Sequence, residues 1–249
     1  MTAWAGNARV LLRRGAIAAP GRPTAMLIDG ARIAWLGSDA EASAHLAGVD
    51  RIVDLDGRSI TPGFVDAHVH TTDTGLTLTG LDLSSERSLA AALARIASHP
   101  GHGLLLGHGW DETTWPEGRP PTRAELDRAV GERPAYLSRV DVHSAIVSTA
   151  LLDRVPGIAD ADGWSEQGPL TRAAHHRVRD AALGSIDGSL RVDAQRAARV
   201  HAASLGIVAI HEMAGPSISS PEDLLGLVAL AADEPGPLVT TYWGQLGHE

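Results

Sequence analysis

The chain reads as an α/β protein, and three observations carry that reading. In the run Ile60 to His70 a Pro62-Gly63 turn leads into a short apolar stretch, and the strand ends in His-x-His. From Ile207 onward a strand, a capped helix and a second strand follow one another, the order found in βα units of a parallel sheet. Residues 8 to 59 are short strands joined by turns, which reads as a small β-domain.

The elements follow in order. Arg9-Val10-Leu11-Leu12, Ala25 to Ile28 and Arg32 to Leu36 are apolar or alternating strands, and Asp29-Gly30 is a two-residue hairpin signal between the last two. Arg51 to Leu55 alternates and is followed by the turn Asp56-Gly57. Residues 60–70 form a buried strand. Ser88 to Ser98, rich in Ala and Leu, predicts a helix. Leu104 to Leu106 predicts a short strand leading into Gly107-His108-Gly109-Trp110. Thr122-Arg123-Ala124-Glu125 has capping-box spacing and opens a helix after Pro120-Pro121. Ala135-Tyr136-Leu137 starts a strand toward Asp141 and His143, and residues 156–169 are a loop. His175-His176, set among Arg172, Arg177 and Arg179, reads as a solvated helix face with no role. Asp193 to Leu205 is a helix stopped by Gly206, Ile207 to Ile210 a buried strand, and Ser220-Pro221-Glu222-Asp223 caps the next helix. Leu238 to Trp243 begins a further strand. The stretch between His70 and Ile207 is too long for one crossover and predicts an inserted subdomain at about 71–205.

Composition narrows the function. Twenty per cent of the 249 residues are charged and the net charge is −9, with the acids well spread, so a nucleic-acid partner is not expected. No Cys is present, which removes disulfides, thiolate ligands and a Cys nucleophile. All 21 basic residues are Arg, so no lysine Schiff base can form. No signal-peptide pattern opens the chain and no apolar run approaches membrane-spanning length, so no membrane partner is expected and a cytoplasmic protein is the default.

The chemistry gathers at His68 and His70. Alternate residues on a strand share a face, and two imidazoles on one face at a strand end can grip a divalent metal. A structural histidine pair is the alternative. Asp66 shares that face and either orients an imidazole or makes a strand-end hydrogen bond. His211-Glu212 ends the strand that starts at Ile207. His211 is read as a substrate or outer contact before a direct ligand, with a packed histidine as the alternative. Asp141 and His143 supply either a polar pocket wall or a satisfied turn. Trp110, Asp111 and Trp115 line an aromatic pocket or belong to the core of the insertion, the latter favoured for Trp115.

Pro62-Gly63-Phe64-Val65-Asp66-Ala67-His68-Val69-His70 resembles the first-strand signature of the amidohydrolase superfamily. Gly107 to Asp111, Trp115 to Arg119, Pro121 to Asp127, Arg133 to His143 and Gly206 to Met213 resemble its YtcJ-like branch, which includes N-substituted formamide deformylase. Most of the chain from about Ala31 onward takes part. The resemblance implies a (β/α)8 TIM-like barrel from residue 60 on, with residues 1–59 forming part of a composite β-sandwich. It implies hydrolysis of carbon–nitrogen bonds other than peptide bonds, in a small amide or formamide, by water activated on a divalent metal, zinc before others. His68 and His70 would be metal ligands. Many members bridge two metals with a carboxylated lysine, which this chain lacks. The general acid/base Asp and the later ligands are expected beyond residue 249. A barrel typically needs about 250 residues by itself, and only about three barrel strands are visible here, so the sequence reads as the N-terminal part of a longer protein, with little or no activity alone. A catalytically silent scaffold is the competing reading. Ester or phosphoester hydrolysis shares the same site logic. A homo-oligomer is compatible with all of these.

Overall fold

The computed structural model describes residues 8–216 and 218–244. The chain ends read above, 1–7 and 245–249, lie outside the described residues. The chain divides into two compact units, Met1–Phe64 and Val65–Glu249.

In the first unit, β1 (Arg9–Arg13) is the centre of a mixed four-stranded sheet. After β2 (Ala16–Ile17), β3 (Ala25–Asp29) pairs antiparallel with β1, and β4 (Arg32–Gly37) pairs antiparallel with β3. On the other side β5 (Arg51–Asp54) runs parallel to β1, while β2 pairs with β6 (Ser59–Ile60) in a two-stranded sheet. Burial explains why β1 is central. Val10 and Leu12 pack with Ile17 and Met26 on one face, and Leu11 packs with Ala25, Leu27 and Ala42 on the other. The hairpin loop is shifted by one residue from its sequence signal. Asp29 pairs with Arg32, so the loop is Gly30-Ala31. Gly30 takes a left-handed φ of 58°, which a residue without Cβ adopts without strain.

Strand β7 (Phe64–Val69), all but its first residue in the second unit, leads through His70 into α1 (Thr71–Thr79). There follow β8 (Leu81–Asp82), α2 (Leu89–Ala97), β9 (Leu105–Trp110), α3 (Arg123–Val130), β10 (Ala135–Arg139), β11 (Ser144–Val147), α4 (Thr149–Leu152) and β12 (Leu170–Thr171). The four strands from β9 onward and β8 form one sheet, in the order β12-β11-β10-β9-β8. Its β8, β9 and β10 are parallel, and β11 and β12 are antiparallel additions. Helices cover both faces. Leu105, Ala135 and Leu137 point toward Leu89, Ala92 and Ile96 of α2 and Leu126 of α3. Tyr136, Ala145 and Val147 point the other way, toward Leu151, Ala174 and Val178. The region between residues 71 and 205 is therefore a layered α/β structure. Its helices begin where the caps predict. The Ser88 side chain accepts from Ala91 N–H, and the Thr122–Glu125 capping box is formed from both sides.

The helix read around His175-His176 is present, and the next one starts earlier than the sequence reading has it. Residues 172–184 form α5 (Arg172–Gly184), and α6 (Gly188–Ser204) begins five residues before Asp193, because the Asp187 carboxylate accepts from Leu190 N–H and caps it there. The solvated face read for His175-His176 holds for His176 alone, since His175 is buried.

The chain then makes β13 (Ile207–Ala214), α7 (Pro221–Asp233) and β14 (Leu238–Trp243). These strands join β7 in a three-stranded sheet, order β14-β13-β7, with β13 and β14 parallel and His211 opposite Thr240. The strand through residue 70 is not buried. β7 is an edge, with Phe64 61% and Val65 55% exposed. On β14, Leu238 is 75% exposed. Helices α1 and α6 cross closely: a Cβ on Gly75 would meet the backbone carbonyl of Ala194.

Candidate metal centre

Strand β7 carries His68, and His70 follows its last residue, so the two stand two residues apart; their rings meet edge to face with centroids 5.2 Å apart at 85°. Nδ1 of His70 lies 2.8 Å from the carbonyl oxygen of Met213 on β13. A carbonyl only accepts, so this contact puts a proton on Nδ1, and in the neutral imidazole the lone pair is then on Nε2. A metal-binding imidazole is oriented in this way in its outer shell. The His68 ring is exposed and has no hydrogen-bond partner among the described residues. Asp66 lies on the main chain: its carboxylate accepts from the backbone N–H of His68 at 3.2 Å.

Glu212 and His211 leave β13 on opposite faces. Glu212 is 3% exposed, and its Oε2 accepts the backbone N–H of Thr71 at 2.7 Å. A buried carboxylate thus sits at the first turn of α1, where exposed N–H groups and the helix dipole favour negative charge. This bond ties the end of β13 to the residue after His70. His211 is half-buried, with Nδ1 3.4 Å from the hydroxyl of Tyr242 on β14.

Under α1 a buried polar knot fixes the helix. The Thr72 hydroxyl donates to Asp223 Oδ1 at 2.8 Å and accepts from Gln195 Nε2 at 3.0 Å. Arg191 Nε stands 3.3 Å from the same Asp223 oxygen. Burial pushes the Asp223 carboxyl above its ordinary value, against the opposing effects of the Thr72 hydrogen bond and Arg191. A cavity of about 270 Å³ lies beside this knot, lined by His70, Glu212, Asp73, Arg191 and Asp223. A second, of about 410 Å³, is bordered by His70, Asp73, Tyr136, Ser138, Arg179 and Leu183. His68 and His70 border a third, of about 560 Å³, together with His201.

The remaining residues singled out by the sequence lie in the five-stranded layer. Trp110 is 1% exposed, packed in the core against α2 and α3, with its indole N–H on the Leu137 carbonyl at 2.9 Å. Trp115 is in the same core. Asp111, Glu112 and Asp141 converge on one guanidinium, that of Arg139, at 3.4, 2.9 and 2.8 Å. The Asp111 carboxyl lies below its ordinary value, first through the Thr113 hydroxyl that donates to it; Asp141 is lowered first by the backbone N–H of His143. His143 is exposed in this turn. The structure therefore brings His70 and Glu212 to one cavity, and it leaves Trp110, Asp111, Asp141 and His143 out of the cavities that His70 borders.

The sequence reading gave Tyr136 and His175 no place in a site. The Tyr136 hydroxyl is 2.7 Å from Nε2 of His175, which is 3% exposed. Burial, then the neighbouring His176 and Arg179, lowers the His175 pKa from 6.5 to about 4. A signal was present: Ala174, Val178 and Ala182 recur every four residues, so position 175 borders the buried stripe of α5.

The donor set fits a divalent ion in part. A hydrolytic centre takes about three protein ligands and an open position. His68 and His70 offer two imidazoles, one already oriented, but among the described residues no cluster of three or more His, Asp or Glu side chains is disposed to hold a metal.

Comparison with known proteins points in the same direction. A model described as the amidohydrolase family matches residues 51–245. The chain is 30% identical over 137 residues to the N-substituted formamide deformylase of Arthrobacter pascens, a match covering 53% of this chain and 25% of that protein. It is 35% identical over 119 residues to the putative amidohydrolase YtcJ of Bacillus subtilis, covering 45% of this chain and 22% of that one. The chain thus spans about a quarter of the length of these two relatives. A metal-dependent hydrolase of Pyrococcus furiosus, of uncharacterized function, superposes with a TM-score of 0.74 and 26% identity, covering 94% of this chain and 50% of that chain.

Proposed function

This chain belongs to the amidohydrolase family, and on that premise we propose that it carries part of the active centre of a metal-dependent hydrolase acting on carbon–nitrogen bonds other than peptide bonds, with a small amide or formamide as substrate. The observation that carries the reading is the pair His68, on β7, and His70, just after its end, with rings 5.2 Å apart and Nδ1 of His70 on the Met213 carbonyl. These two residues would hold a divalent ion, zinc before others. Such an ion, when bound, lowers the pKa of its water and polarises the scissile carbonyl.

The chain's own residues do the positioning. Met213 O fixes the tautomer and the plane of His70. Glu212, through Thr71 N–H, fixes the turn in which His70 stands. Thr72, Gln195 and Asp223 hold the next residue of that turn from beneath. The bordering cavities offer space for a small molecule next to His70. A barrel that includes β7, β13 and β14, completed with a β-sandwich to which the first unit contributes, is the architecture we propose around this centre. A general acid/base Asp and further ligands would come from outside these 249 residues. The proposed setting is the cytoplasm, with no nucleic-acid or membrane partner; among the described residues no helix is long and apolar enough to cross a membrane.

A second reading has its own support. With two candidate imidazoles and no three-residue cluster among the described residues, the chain by itself suits a silent scaffold. Formate release from N-phenylformamide separates the two. We expect release that stops with a chelator and with His70→Ala in the protein at its natural length, and little or none from the 249 residues alone. Release insensitive to both treatments would remove the metal-hydrolase reading.

A further inference from the structure

The wall of the cavity of about 410 Å³ carries several polar groups besides His70, Thr77, His108 and Ser138 among them, and two of them stand out. One is the ion pair of Arg179 Nη2 with Asp73 Oδ2, at 2.8 Å. The other is Tyr136, on β10, whose side chain points toward α5 and is 7% exposed. Its hydroxyl is 2.7 Å from Nε2 of His175, and the two rings are nearly parallel at 17°. His175 and Arg179 are four residues apart on α5, so they stand on the same side of that helix. Asp73 is three residues beyond His70 on α1.

A phenol hydroxyl has one donor and two acceptor positions. His175 occupies one of them, and no other partner of the Tyr136 hydroxyl is found among the described residues. Either tautomer of a neutral His175 leaves hydrogen-bonding capacity on the phenol oxygen. Tyr136 borders the cavity and its buried hydroxyl is held by His175, so a ligand that reaches the hydroxyl meets a group already oriented. The apolar part of the same wall, Leu106 and Leu183 among it, suits the hydrocarbon part of that ligand.

We propose that Tyr136 is a substrate-binding residue of this cavity, held in place by His175 as a positioning residue, and that it hydrogen-bonds the polar group of an amide-class ligand whose scissile bond lies toward His70. The ligand class rests on the function proposed above; the site does not.

The chain has two tyrosines, Tyr136 and Tyr242, so their ring-carbon resonances can be separated by comparison with Tyr136→Phe. The test is a titration of the complete chain, labelled with ¹³Cζ-tyrosine, with N-phenylformamide in the absence of metal. The proposal predicts a saturable shift of the Tyr136 resonance. It also predicts threefold to tenfold weaker binding to Tyr136→Phe, the loss of one neutral hydrogen bond, with the far-ultraviolet spectrum unchanged. His175→Gln, whose amide can still meet the phenol, should bind as the parent does, and His175→Phe should bind as weakly as Tyr136→Phe. No binding, or binding that leaves the Tyr136 resonance still and is indifferent to Tyr136→Phe, overturns it. Binding through Tyr136 with no hydrolysis in the natural-length protein would sink the hydrolase reading and leave this one standing. Metal-dependent hydrolysis whose KM ignores Tyr136→Phe would do the reverse.

Discussion

At the scale of single residues, what organises the centre is a set of contacts to main-chain groups. Met213 O orients His70, Glu212 takes Thr71 N–H, and Asp66 takes His68 N–H. Motif spacing shows the two imidazoles, because period-two alternation is a local property of a strand. It does not show which carbonyl faces an imidazole 143 residues away. His175 makes the residue-scale prediction. Its folded pKa is lowered from 6.5 to about 4, so the unfolded chain takes up the proton first. The stabilisation is complete above pH 6.5 and is lost as pH falls toward 4, by up to about 3 kcal/mol for the full shift. Urea unfolding across that range should show the slope, and His175→Gln should flatten it. An unchanged slope would place the acid sensitivity elsewhere.

At the scale of elements, the caps were legible and the boundaries less so. Ser88, the Thr122–Glu125 box and Ser220 start α2, α3 and α7 where the residue types demand it. Thr122→Ala should cost about 1 kcal/mol in equilibrium unfolding; no change would mean that the Arg119–Glu125 pair holds the helix start without the box. Asp187 is an equally good cap, but Gly188 after it hides the helix, since glycine is a poor helix former. The strands β8 and β12, two residues each, are too short for any periodicity. The α1–α6 crossing depends on Gly75, where a Cβ would strike the Ala194 backbone. Gly75→Ala should therefore destabilise by about 1–3 kcal/mol, in the range of overpacking, where an exposed helical glycine would gain from the same change. A stabilised variant would refute the close approach.

At the scale of the whole chain, three strands distant in sequence, 64–69, 207–214 and 238–243, share one sheet; the strand–helix–strand order from Ile207 suggested the pairing of the last two, and the family resemblance added the first. The strand order of the five-stranded sheet between them was not legible, because sheet order is set by contacts far apart in sequence and not by local pattern. Exposed Val65, Val208, Leu238 and Tyr242 leave apolar surface on the three-stranded sheet. The chain should accordingly bind an apolar dye such as anilinonaphthalene sulfonate while folded, and a folded chain that binds none would contradict that surface.

The central claim is that His68 and His70 are metal ligands. The most direct measurement is the metal content of the protein purified from its source cells, parent beside the double substitution His68→Ala/His70→Ala. The account predicts bound divalent ion in the parent and its loss in the variant, with the fold retained. Equal metal content in the two would contradict it.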